Sequence, residues 1–163
     1  MQSTIESLPH WAQLALVIVP ALSAMFAALA LLLTFYQSRR TNAQARAALV
    51  ASCLQGFAED QEIQQAFYAI EYSEFIYDTA FHKSDCERHV DKLLRHFANL
   101  ALAWQAGLLT TADVRPVQYY VLRVIRSPEI QKYLSFIQQW SETQVLGEHP
   151  YAVLARLGER LAK

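Results

Sequence analysis

Three histidines and a cysteine near the middle of the chain could bind a metal ion. Cys86 and His89 lie three positions apart and His96 follows His89 by seven, so a helix could place them on one face. His82 precedes the predicted start of that helix. Because helical metal sites usually space their ligands four positions apart, as in HExxH, a polar helix face is the favoured interpretation. No metal or other cofactor is expected, and a metal-dependent enzyme using Cys86, His89 and His96 is an open alternative.

Three arginines further along the chain could bind an anion. Arg115, Arg123 and Arg126 fall on one side of a predicted helix, with Tyr119 between them. Guanidinium groups beside an aromatic ring suit a phosphate-bearing ligand. The other interpretation is internal pairing, because the segment between Ala47 and His82 carries six acids and no Lys or Arg: Glu59, Asp60, Glu62, Glu71, Glu74 and Asp78. With 14 Lys and Arg against 15 Asp and Glu, nucleic-acid binding is not expected.

No residue pattern indicates catalysis. Glu71 and Glu74 could do acid–base chemistry if they were buried, but a solvated or ion-paired helix face is the favoured interpretation. The chain contains no GxSxG, Walker, HExxH, GxGxxG or CxxC motif. The sequence therefore predicts a protein that is not an enzyme.

Aromatic residues are densest between residues 67 and 81. Large rings of this kind either fill a helical core or form a partner surface. We expect Phe67 in the core. We expect Tyr72, Phe75, Tyr77 and Arg123 to be surface or near-surface contacts with a partner. The six aromatic residues are Phe67, Tyr68, Tyr72, Phe75, Tyr77 and Phe81.

The N-terminal region predicts a membrane span. No Asp, Glu, Lys or Arg occurs from Ser7 to Ser38, and the apolar run Leu14–Tyr36 has 23 residues. As a helix it would be about 34 Å long, enough for a hydrocarbon core of about 30 Å. A cleaved signal peptide would have a shorter apolar run after a basic segment, so an uncleaved anchor is favoured.

Charge then gives the expected orientation. Arg39, Arg40 and Arg46 follow the span and nothing basic precedes it. By the positive-inside rule, residues 1–13 form a short extracytoplasmic N-terminus, residues 14–36 the transmembrane helix, and residues 37–163 a cytoplasmic helical domain. The predicted location is the inner (plasma) membrane of a bacterium, crossed once.

Helical periodicity continues almost throughout the cytoplasmic part. Ser84 and Glu87 form a capping box for a third helix that Gly107 ends. Thr110 or Thr111 is the expected cap of a fourth helix, lined by Val114, Val117, Val121 and Val124.

The last two helices have clear start signals. Ser127-Pro128-Glu129 begins a fifth helix, and Pro150 can open a last one that ends near Leu161. The predicted fold is all-α: one transmembrane helix followed by a bundle of about five to six helices.

Residues 60–145 resemble an uncharacterised family of small bacterial helical proteins, a domain of unknown function often joined to an N-terminal membrane span. The resemblance implies a bacterial origin and an all-α domain. It implies no activity, cofactor or site residue. The matching segments are Ile70-Glu71-Tyr72, Phe75-x-Tyr77-Asp78, Asp91-Lys92-Leu93-Leu94, Gly107-Leu108 and Gln131-Lys132-Tyr133-Leu134.

The sequence thus favours a membrane-anchored helical binding or scaffolding module. Its expected partners are the lipid bilayer and another protein or a second copy of itself. The alternative is a membrane-bound regulator or effector that senses a small anionic ligand through Arg115, Arg123 and Arg126.

Overall fold

The first helix is much longer than the predicted membrane span. The computed structural model describes the backbone of residues 10–163 and the side chains of residues 18–163 except Ala21. The predicted N-terminal segment 1–13 therefore lies largely outside the described residues. Helix α1 runs without a break over His10–Glu59, 50 residues, with Pro20 inside it. Residues 37–44, which are polar except for Ala43, continue this helix, because no Gly or Pro interrupts them.

The chain divides into two compact units, one ending at Gln44 and one covering Ala45–Lys163. In the first unit, every side chain described from Ile18 to Gln44 is exposed. The helix is long and apolar enough, by length and composition, to cross a membrane. Ser23 and Thr34 donate their hydroxyls to the carbonyls four residues earlier, at 2.8 Å in both cases, so their polar groups are satisfied within the helix.

The second unit is an all-helical bundle, with no strand among the residues that the structure describes. Helix α3 packs against α2 and α6, and α4 packs against the same two helices, so these four close a ring around one core. The C-terminal part of α1 contributes Val50 and Phe57 to that core. The helices after α1 are α2 (Gln61–Glu71), α3 (Asp85–Gln105), α4 (Gln118–Ile125), α5 (Pro128–Thr143) and α6 (Ala152–Leu161).

Helix α3 begins and ends where the sequence predicts, with Ser84 at the N-cap and Gly107 just past the last turn. Ser84 Oγ accepts the backbone N–H of Glu87 at 3.1 Å, which is one half of the predicted capping box. The Glu87 carboxylate accepts the N–H of Lys83 instead of that of Ser84, which donates to the Phe81 carbonyl at 3.2 Å. At the other end, Gly107 has φ 74°, and the N–H of Leu108 reaches the carbonyl of Ala103 at 3.0 Å. This left-handed closure suits glycine, which has no Cβ to clash.

The predicted start of the fourth helix is wrong. Thr110 and Asp113 exchange hydrogen bonds, with the Thr110 N–H and hydroxyl both donating to Asp113 Oδ2 and the Asp113 N–H donating to Thr110 Oγ1. They close a separate turn, which a short 3-10 helix at Arg115–Val117 follows before α4. The four predicted core valines of this region are nevertheless all fully buried.

The predicted start of α5 is confirmed, and the start of α6 is shifted by two residues. Pro128 opens α5 with Ser127 at the cap position. Glu129, in the first turn, accepts the backbone N–H of Tyr77 at 3.0 Å, so it also fastens the loop after α2. Helix α6 begins at Ala152 rather than at Pro150, and it ends at Leu161 as expected.

Candidate functional site

Helix α4 has two opposite faces. Val121 and Val124 have no exposed surface and turn towards the core, which fixes the rotation of the helix. The opposite side presents a groove with a volume of about 600 Å³. We call it the arginine groove; its residues are Arg115, Gln118, Tyr119, Leu122, Arg123 and Arg126. The prediction that the three arginines share one side is therefore confirmed, although Arg115 lies in the preceding 3-10 turn.

Glu71, the last residue of α2, fixes the middle of the groove. Tyr119 donates its hydroxyl to Glu71 Oε1 at 2.5 Å. Arg123 donates its Nε to Glu71 Oε2 at 2.7 Å and its Nη2 to the Glu71 carbonyl. These contacts hold the pKa of Glu71 below its usual value, Tyr119 having the largest influence. Arg123 is thus neutralised within the bundle.

The two outer arginines differ from Arg123. Arg115 and Arg126 are exposed. Among the described residues, neither of them forms an ion pair with an acid. The arginines that do are Arg46, Arg88, Arg123 and Arg156. The groove therefore has a charge-compensated centre and an unpaired guanidinium at each end.

Other acids of the 59–78 segment pair within the bundle, as the internal-pairing interpretation predicts. Lys92 on α3 lies 2.7 Å from Asp60 and 2.6 Å from Glu62. Its ammonium group lowers the pKa of both carboxyls, and they in turn raise the pKa of Lys92. Since these pairs are exposed, their contribution to stability is small.

The aromatic segment divides by residue type. Phe67, Phe75 and Phe81 are buried, whereas Tyr68 and Tyr72 are 46% and 67% exposed. The rings of Tyr68 and Tyr72 stack with centroids 6.0 Å apart and planes 14° apart. Tyr72 directly follows Glu71, so this exposed pair of rings is next in the chain to the acid that holds the arginine groove.

The expectation that Phe75 is a surface contact is wrong. Its side chain is only 5% exposed and packs edge-on against Phe81, at a centroid distance of 5.4 Å. The loop 72–84 has no regular helix of its own, so these two rings anchor it in the core. Tyr77 is half-buried rather than free, and its ring also packs against Phe81.

The histidines and the cysteine that could bind a metal have separate contacts. His82 lies between Tyr77 Oη at 3.0 Å and Glu87 Oε1 at 3.1 Å. His96 Nε2 contacts the Cys53 carbonyl at 3.0 Å, and His89 lies 3.8 Å from Glu62. Within residues 10–163 as described, no group of three or more His, Cys, Asp or Glu side chains could hold a metal ion.

Sequence reasoning missed a cluster in which two buried tyrosines bind a half-buried carboxylate. Tyr133 on α5 and Tyr151 before α6 both donate to Asp91 Oδ1 on α3, at 2.8 and 3.0 Å. Burial raises the pKa of Tyr133 and raises that of Tyr151 to about 12. The available signal was the position of Asp91, three residues before core Leu94 and seven before Ala98, on the apolar face of α3. This cluster ties three helical segments together.

The all-α bundle and its arginine groove define the class of fold and the candidate site. Comparison with known proteins found no matching family model, no matching curated protein and no matching solved structure. The resemblance to a family of small bacterial helical proteins stays a prediction.

Proposed function

We propose that this protein is a membrane-anchored helical binding module without catalytic activity, whose partner is another protein. The observation that carries the proposal is a contrast between two apolar surfaces of the chain. Large apolar side chains of α1 between residues 18 and 36 are exposed, whereas the bundle has a core of its own in which Leu93, Leu94 and Leu154 are fully buried. A helix with this surface is stabilised by lipid, and the bundle that follows remains as a folded unit beside the bilayer.

The charges after the span support an orientation. Arg39 and Arg40 follow the apolar run directly, and both are exposed. The guanidinium carbon of Arg39 lies 4.6 Å from the centroid of the Phe35 ring. An amphipathic end of this kind suits the headgroup level, with the basic residues on the cytoplasmic side. The proposal places residues 14–36 in the inner membrane of a bacterium and the bundle in the cytoplasm.

Exposed tyrosines and the arginine groove support a binding role. Tyrosine and arginine are the residue types that most often dominate protein interfaces, because they bury a large surface and keep a polar group. Tyr72 and Arg123 remain the proposed contacts from the sequence, joined by Tyr68 and Tyr119. Tyr77 supports partner binding indirectly, because it fixes the loop 72–84. Phe75 is a core residue and is no longer proposed as a contact.

Photo-crosslinking at Tyr72 tests this function. A benzophenone amino acid in place of Tyr72 is expected to give a discrete cross-linked protein in native membranes. The same group in place of Trp140, which is 52% exposed on α5, is the matched control and should give none. Equal cross-linking from both positions would contradict a specific surface.

Tyr72→Ala completes that test. In this variant the benzophenone amino acid replaces Tyr119 instead, and the yield of cross-linked partner should fall. Thermal unfolding should stay nearly unchanged, because the ring of Tyr72 is exposed. A large loss of stability would show that Tyr72 is part of the core instead.

The second candidate function is sensing of a small anionic ligand. The observation that favours it is the groove itself, since Arg115, Arg123 and Arg126 all line one volume of about 600 Å³. If it is correct, inorganic phosphate should raise the unfolding temperature of the full chain, and Arg126→Ala should remove that shift. A shift that survives Arg126→Ala would rule out this site.

A further inference from the structure

The two unpaired arginines mark the ends of a single stripe. Arg115 lies in the 3-10 turn before α4, and Arg126 is the C-cap residue of α4, so the two arginines flank that helix. Tyr119 and Leu122 lie between them in the sequence, and all four residues line the arginine groove. At about 2.0 Å per residue through the 3-10 turn and about 1.5 Å per residue through α4, the two arginines are roughly 18 Å apart along the chain.

We propose that the arginine groove binds an extended acidic peptide segment of the partner protein, with one carboxylate at Arg115 and a second at Arg126. This inference rests on the proposed function as a protein-binding module. In an extended chain, side chains four positions apart share one face and lie about 13 Å apart. The long arginine side chains cover the remaining difference, so a pattern of acid–x–apolar–x–acid matches the stripe.

The middle of the groove suits the apolar residue of that pattern. Leu122 is half-buried, and the ring of Tyr119 is 59% exposed. Glu71 holds the hydroxyl of Tyr119, so the ring is fixed before a ligand arrives. Gln118, also half-buried in the wall, has its side-chain amide donating to the Leu161 carbonyl at 3.0 Å, which fixes that end of the groove. A preformed surface lowers the entropic cost of binding.

A compact anion and a nucleic acid fit the stripe less well. One phosphate could contact both arginines only if their side chains folded inward over Leu122 and closed the groove. Nucleic-acid affinity depends on neutralising many phosphates. Only two cations here are unpaired at the ends of the groove, and the net charge of the chain is −1. Charge complementarity at two separated points favours a peptide with two separated acids.

The test uses the full chain in lipid nanodiscs and three fluorescent peptides. The first carries Glu-Thr-Leu-Thr-Glu, the second has both glutamates adjacent, and the third has glutamine at both positions. Fluorescence anisotropy is expected to show that the first peptide binds at least tenfold more tightly than the third. It should also bind several-fold more tightly than the second, because adjacent acids reach only one arginine.

Arginine variants locate the binding site. Arg115→Gln and Arg126→Gln should each weaken binding of the first peptide about tenfold, and the double variant should reduce it to the level of the neutral peptide. The matched control is the double variant Arg88→Gln with Arg160→Gln, which removes the same charge from other exposed positions. It should bind as the unchanged chain does. Unaltered thermal unfolding will show that all variants are folded.

Several outcomes would overturn the inference. If the spaced and adjacent peptides bind equally well, the two arginines do not bind two separate carboxylates. The same conclusion follows if the double variant Arg115→Gln with Arg126→Gln binds as the unchanged chain does. Tighter binding of a single-stranded oligonucleotide would assign the groove to nucleic acid, and displacement by millimolar phosphate at constant ionic strength would assign it to a small anion. If cross-linking from Tyr72 still succeeds in membranes, only this inference fails and the binding module stands.

Discussion

The two units of this chain use the same apolar residue types in opposite ways. Leu29, Leu31 and Leu32 of the first unit are 52%, 71% and 66% exposed, whereas Leu93 and Leu94 of the second have no exposed surface. Both sets lie on helices. What separates them is the spacing of polar residues. Between residues 18 and 36, α1 carries apolar residues on all its sides, whereas α3 in the second unit has charged residues on one face.

This difference shows what each unit requires from its surroundings. An amphipathic helix buries its apolar face against neighbouring helices, so the bundle is built around its own core. A helix that is apolar on every side needs an apolar environment all round it, which a bilayer provides.

The largest expected effect comes from a core substitution. Leu94→Ala should lower the free energy of unfolding of the bundle by about 2–5 kcal/mol, because it leaves a cavity in close-packed surroundings. Leu31→Ala is the matched control and should change the free energy of unfolding by less than about 0.5 kcal/mol. Urea unfolding in nanodiscs, followed by tryptophan fluorescence, measures both. A similar loss for both leucines would remove the distinction between the units.

A charge in the first unit should act on the membrane instead. Leu31→Arg is expected to cost about 2.5–3.5 kcal/mol of insertion free energy, because the charge would lie within the hydrocarbon core. Leu102→Arg places the same charge at a residue of α3 that is 52% exposed, and it should leave membrane attachment unchanged. Fractionation after alkaline extraction compares them. If Leu31→Arg stays fully inserted, the span has been assigned wrongly.

Buried polar groups in the bundle should give a smaller effect with a distinctive pH dependence. Tyr151→Phe removes one donor from the partly buried Asp91 carboxylate and should cost about 1–3 kcal/mol. Burial raises the pKa of folded Tyr151 to about 12, against 10.0 for an ordinary tyrosine. Its neutral form therefore stabilises the fold fully below pH 10, and this contribution is lost as the pH rises towards 12.

Denaturation as a function of pH checks that prediction. The unchanged chain should lose stability between pH 10 and 12, and Tyr151→Phe should lose less over the same range. Tyr72→Phe is the control, because its hydroxyl is on an exposed ring, and it should behave as the unchanged chain. Identical profiles for the chain and Tyr151→Phe would contradict the role given to the Asp91 cluster.

The smallest effect is expected at the arginine groove. Contacts with Tyr119 and Arg123 hold the pKa of folded Glu71 below the ordinary 4.5. Their contribution is therefore complete above pH 4.5 and disappears as the pH falls through the lower folded value. Glu71→Gln should weaken the dependence of stability on pH below 4.5 and leave membrane attachment unchanged. Acid titration followed by circular dichroism would contradict this if both chains gave the same slope.

Local signals in the sequence were sufficient to predict much of the fold. The capping residues Ser84 and Glu87 and the stop at Gly107 act within one or two turns, so the sequence alone specifies them. Thr110 was misassigned because the same capping chemistry also closes an isolated turn. Long-range packing could not be predicted, and it decides that Phe75 enters the core.

The candidate site was predictable to a similar degree. Helical spacing places Tyr119, Arg123 and Arg126 along α4, whereas Arg115 joins their groove from the 3-10 turn that precedes the helix. The spacing does not show which of these residues bind an acid. Glu71 lies on a different helix, and its contacts with Tyr119 and Arg123 depend on how α2 and α4 pack. The contacts of Asp91 with Tyr133 and Tyr151 join residues 42 and 60 positions apart, so periodicity does not predict them.

Thiol labelling in intact membranes tests the anchored module most directly. In a chain with Cys53→Ser and Cys86→Ser, Leu31→Cys and Leu102→Cys each provide one thiol, at residues 71% and 52% exposed. A water-soluble maleimide should label Leu102→Cys at once and leave Leu31→Cys unlabelled until the membrane is dissolved and the chain is denatured. If both thiols react at similar rates in intact membranes, α1 is in water and the anchored module is wrong.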